Sequence, residues 1–115
     1  MEAYSLDQPE PVNKSADFNS CWHEVLEKAR NVDLPESIID LMVERNEVGI
    51  KRYGVPLMPF NGRNARADAL MEALDLLAYL QQIIMENSVE KSWDPTIDKL
   101  FNTILLSLPH LHKNL

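Results

Sequence analysis

The sequence predicts an all-α protein: a four-helix bundle preceded by an extended N-terminal arm. Three observations carry that expectation. Apolar residues recur at three- and four-residue spacing, cap residues stand in front of those runs, and Gly54, Pro56, Pro59 and Gly62 cluster between two of them. No alternating strand pattern, internal repeat or low-complexity tract interrupts the series. At 115 residues the chain has room for one domain.

Residues 1–18 hold Pro9 and Pro11 among small and polar residues without apolar periodicity, and are expected to form the arm. The helical domain spans residues 19–115. From about Asn19 to Asn31, Trp22, Val25, Leu26 and Ala29 keep helical spacing and predict a short first helix. Asp33 followed by Glu36, with Pro35 in the first turn, has the form of a capping box opening a second helix that reaches about Tyr53. Gly54, Pro56, Pro59 and Gly62 make the stretch from Gly54 to Arg63 a loop. A long third helix is expected from about Asn64 to Asn87, where no Gly or Pro breaks a run of good helix formers. Asp94 and Pro95 supply the cap and first turn of a fourth helix, expected to end before Pro109.

Composition narrows the function. Eleven Lys and Arg against eighteen Asp and Glu give a net charge of -7, a field that repels polymeric nucleic acid and anionic membrane. A small phosphorylated ligand stays open, because a cation held by carboxylates reverses the local sign. One cysteine, Cys21, allows no internal disulfide and fits a reducing compartment. No apolar run is long enough to span a bilayer, and the N-terminus lacks the pattern of a signal peptide, so the cytoplasm is the expected location. A helical domain of this size buries roughly 65% of the surface its unfolded chain exposes, so association with further copies is expected.

The acidic residues form two stripes. At about 100° per residue, Asp40, Glu44, Glu47 and Lys51 share one line on the second helix. On the third helix Asp68, Glu72, Asp75 and Tyr79 share another, flanked by a wide apolar arc of Leu70, Leu74, Leu76, Leu77, Leu80, Ile83 and Ile84. Spacing alone also fits two merely solvated polar faces. If antiparallel packing instead joins them, Glu44, Glu47, Glu72 and Asp75 form one cluster whose mutual repulsion calls for a cation. An all-carboxylate set suits Mg²⁺ or Mn²⁺, and zinc is disfavoured because no His or Cys lies near the stripes.

The pairs Glu44/Glu47 and Glu72/Asp75, separated by residues 48–71, resemble the E-x-x-E and E-x-x-D signature of the MazG-like all-α nucleoside triphosphate pyrophosphohydrolases. The longer string RNEVGIKRYGVPLMPFNGRNARADALMEALDLLAYL, Arg45 to Leu80, is similar to phage-type members, with a Lys-x-Tyr-Gly turn and an Asn-Gly-Arg loop between the acidic helices. It covers about a third of the chain and omits the arm and the fourth helix.

The resemblance implies a bundle of the all-α NTP pyrophosphatase type, and the wide apolar arc on the third helix predicts a dimer or tetramer with the site at a subunit seam. By the same resemblance the protein would cleave a nucleoside or deoxynucleoside triphosphate to the monophosphate and pyrophosphate. A phage-encoded member would work in the host cytoplasm. Metal held by Glu44, Glu47, Glu72 and Asp75 would neutralise the phosphates and acidify a water for attack on phosphorus. Glu47 is the leading candidate to orient or deprotonate that water, with Glu44 beside it.

Other residues admit two readings each. Lys51 either reaches a phosphate oxygen or pairs with Glu47 one turn away. Asn61 and Arg63 either bind phosphate or decorate a solvated loop. Asp68 is either a further ligand or a partner of Arg66 or Arg63, and Tyr79 stands at the end of the same stripe. Trp22, Tyr53 and Phe60 either stack on a base or complete a core. Gly49 inside the second helix is expected to reflect close packing. Two other functional classes fit the same sequence: a non-catalytic protein that sequesters a nucleotide, and an acidic helical adaptor that contacts only protein.

Overall fold

The computed structural model describes residues 8–12 and 17–115. Four helices follow one another: α1 Cys21–Asn31, α2 Glu36–Tyr53, α3 Ala65–Glu90 and α4 Pro95–His112, with no strand among the described residues. They divide between two compact units. In Gln8–Arg63, α1 packs on α2; in Asn64–Leu115, α3 packs on α4. Much of the arm expected over residues 1–18 lies outside the described residues; residues 8–12 and 17–18 are neither helix nor strand.

Local chemistry sets most helix ends. Ser20 opens α1, its hydroxyl accepting from His23 N at 3.1 Å, a cap worth about 1 kcal/mol. Glu24 in the first turn and Lys28 and Arg30 in the last complement the helix dipole. The start of α1 is also tied to the 54–63 loop, since Cys21 N donates to Leu57 O at 2.8 Å. The expected capping box does not form. Asp33 adopts φ 55 in the turn that ends α1, with its N–H on Arg30 O, and Pro35 becomes the N-cap of α2 without a side-chain bond. Asp tolerates the left-handed region better than most residues, which lets it close one helix rather than open the next.

At the end of α2, Gly54 takes φ 77 and returns its N–H to Ile50 O at 2.7 Å, a conformation that favours a residue without Cβ. Gly49 is not closely packed: a Cβ built there meets nothing within 4 Å. Among the described residues of this unit the buried apolar ones are Ala29, Ile39 and Met58, one each from α1, α2 and the loop.

Asn64 caps α3, its side chain accepting from Arg66 N at 3.0 Å and Ala67 N at 3.2 Å. The helix then runs three residues past the expected end to Glu90, where Lys91 at φ 56 turns the chain and Ser92 N closes on Asn87 O. Asp94 caps α4 through Thr96 N and Ile97 N. The fourth helix does not stop before Pro109 but continues through it to His112. Proline removes a single N–H there, close enough to the end for the remaining turn to persist. Arg66 Nη1 donates to His110 O, covering a carbonyl that has no intrahelical partner. Ala67 and Leu80 are the buried apolar residues of this unit, whereas α4 has no fully buried residue. Among the described residues no helix is long and apolar enough to cross a membrane.

Candidate functional site

In the unit built on α1 and α2, Glu44 and Glu47 occupy consecutive turns of α2 with both side chains exposed. Lys51 follows one turn later and is also exposed; among the described residues no ion pair joins it to Glu47. The pairing alternative for Lys51 is therefore not taken up. The helix places two carboxylates and one ammonium on a single line facing solvent.

The loop after α2 supplies the remaining groups. Asn61 is 8% exposed, and its Oδ1 accepts from Arg63 N at 3.1 Å, so the amide oxygen shapes the turn beneath Arg63. Its own carbonyl accepts from Val12 N at 3.1 Å. Arg63 is half-buried and donates from Nη1 to Pro9 O at 2.7 Å. Phe60 stands at φ 55 and is 75% exposed, with its ring against Phe18 at 5.6 Å between centroids. Tyr53 carries the Arg52 guanidinium 5.1 Å from its ring centre, while Trp22 on α1 is half-buried. Of the three aromatic residues considered for stacking, Phe60 offers the most open ring.

In the unit built on α3 and α4, Asp68, Glu72, Asp75 and Tyr79 follow one another along α3. Glu72 is exposed, Asp68 and Asp75 are half-buried, and Tyr79 is exposed at 65%. Their 3.6-residue repeat puts Glu72 and Asp75 on one side of the helix, so each acidic pair is presented by a rigid element. Arg66 turns to His110 O, away from the pairing with Asp68 considered from sequence.

Two features had little signal in sequence. His23, Glu24 and Glu27 on α1 bring their ligand atoms within 4.8 Å of one another, the one such group among the described residues. All three are exposed, and His23 Nε2 lies 3.4 Å from Glu27 Oε1, an ordinary contact between residues one turn apart. At the turn between α3 and α4 a crevice of about 350 Å³ is lined by Ile84, Lys91, Trp93 and Asp98 among others. Trp93 is held there by its Nε1, which donates to Asp98 Oδ2.

No protein-family model matches the chain, and no curated protein and no solved structure matches it.

Proposed function

We propose that the protein is a Mg²⁺-dependent hydrolase that cleaves a nucleoside or deoxynucleoside triphosphate between its α- and β-phosphates. The observation that carries this reading is the pairing of carboxylates on two helices, Glu44 with Glu47 on α2 and Glu72 with Asp75 on α3, each pair one turn apart and open to a ligand or half so. All four donors are hard oxygens, a set that fits Mg²⁺ or Mn²⁺ and does not fit zinc. The resemblance of residues 45–80 to MazG-like pyrophosphohydrolases points to the same chemistry.

In this reading each acidic pair, Glu44 with Glu47 and Glu72 with Asp75, offers carboxylate oxygens to a metal, which would neutralise phosphate charge and make water a better nucleophile. Glu47 orients the attacking water and receives its proton. Lys51 and Arg63 meet phosphate oxygens, Lys51 as a mobile point charge and Arg63 as a two-pronged donor. Asn61 acts from below by fixing the backbone of Arg63. Asp68 and Tyr79 flank the acidic pair on α3, and Phe60 gives a base a ring to lie against. The apolar side chains left exposed on α3 and α4, among them Leu74, Met85, Val89 and Leu106, support association of copies into a dimer or tetramer.

Incubation with each common NTP and dNTP in the presence of Mg²⁺, read as pyrophosphate and monophosphate release, tests the proposal. Turnover of at least one substrate is expected. Binding without turnover identifies a sequestering protein, and absence of nucleotide binding leaves the adaptor class.

A further inference from the structure

The crevice of about 350 Å³ at the turn between α3 and α4 is large enough for a small organic molecule. Ile84 on α3 contributes apolar surface, Trp93 borders the crevice from the turn, and Asp98 does so from the first turn of α4. Trp93 is 75% exposed, so this indole does not complete a core. It is nevertheless fixed in place, because its Nε1 donates to Asp98 Oδ2. A hydrogen bond to a carboxylate polarises the donor, and the added electron density strengthens the attraction of the ring for a cation.

The charges around the crevice favour a ligand of the same sign. Asp98 is half-buried and Asp94 exposed, and neither is paired with a cation among the described residues. Asp94 caps α4 through Oδ1, which leaves Oδ2 as an acceptor. The last turn of α3 has no basic residue and ends on Glu90, so the negative pole of that helix draws a positive group. The positive pole of α4 is already answered by its Asp94 cap and by Asp98. Against these stands one ammonium on the lining, that of Lys91, exposed on a flexible stem. An anion entering here would meet two carboxylates, whereas an ammonium with an apolar body suits both kinds of surface.

We propose that this crevice binds a small primary ammonium compound, its charged head between the Trp93 ring and the carboxylates of Asp94 and Asp98 and its apolar body against Ile84. The site is built from α3, α4 and the turn that joins them. It stands independently of the nucleotide reading.

The probe is phenethylammonium, added to the full chain and followed by the indole N–H resonance of Trp93. A shift that is half complete at or below about 10 mM is expected. Hydrocinnamate, similar in shape and opposite in charge, should leave the resonance unmoved. Three substitutions, read by ligand-observed NMR, test the roles assigned. Trp93→Leu keeps apolar bulk without a π face and is expected to weaken binding about fivefold. Asp98→Asn keeps an acceptor for the indole, removes the charge and should weaken binding by a similar factor. Lys91→Asn suits the left-handed backbone at φ 56 and should tighten it. No response to phenethylammonium, an equal response to hydrocinnamate, or weaker binding in Lys91→Asn overturns the proposal. Should Trp93→Leu lose helical content, the comparison of the two probes on the unchanged chain still decides.

Discussion

Arg66, in the first turn of α3, donates its guanidinium to the carbonyl of His110 in the last turn of α4. The contact joins the entry of one helix to the exit of the other and places positive charge where the α4 dipole is negative. Replacing Arg66 by Ala is expected to lower the unfolding free energy by about 1 kcal/mol. Urea denaturation followed by circular dichroism measures it, with Arg66→Lys recovering part of the loss.

Glu47→Gln keeps the size of the side chain and removes its basicity. We expect turnover to fall by about 100-fold or more, with the helical circular-dichroism signal unchanged. Retained hydrolysis would exclude Glu47 as the group that handles the proton. Glu72→Gln is expected to raise the Mg²⁺ concentration needed for activity, as removal of a ligand charge should.

Gly49 occupies a helix interior with open space where a Cβ would go. Gly49→Ala should therefore stabilise the protein by about 0.5–1 kcal/mol, seen as a higher urea midpoint at constant m-value. Destabilisation instead would reveal that another chain approaches the backbone of α2 at this position.

Asn61 is the buried polar residue on which the loop turns. Asn61→Ala leaves Arg63 N without its acceptor and should cost about 1–3 kcal/mol. The same change should raise the KM for nucleotide more than it lowers kcat, since the effect passes through the position of Arg63.

Leu106 is 75% exposed on α4, beside an α3 whose Met85 and Val89 are exposed as well. Under the proposed association of copies, Leu106→Glu should preserve helical content and shift the mass measured by light scattering toward the single chain. An unchanged mass would exclude this face as the contact.

Legibility from sequence followed the range of the interactions involved. Asn64, Asp94 and Gly54 marked their helix ends correctly because a cap is a contact between residues two to four apart. Asp33 misled because the same side chain suits a cap and a left-handed turn, and here it takes the turn at φ 55. Pro109 misled because one lost hydrogen bond near a terminus costs less than one at the centre. The acidic pairs were readable as pairs, since 3.6 residues per turn fixes their spacing. The bonds from residues 8–12 to Asn61 and Arg63 had no signature at all. They join positions about fifty residues apart, through backbone groups that every residue carries.

The hydrogen bond from Cys21 N to Leu57 O gives the loop an inbuilt reporter. Trp22 is the very next residue, half-buried in the first turn of α1. Any displacement of the loop tugs on the backbone beside that indole and alters its surroundings. With Trp93 exchanged for Phe, emission from Trp22 would follow the loop in real time, with no dye attached.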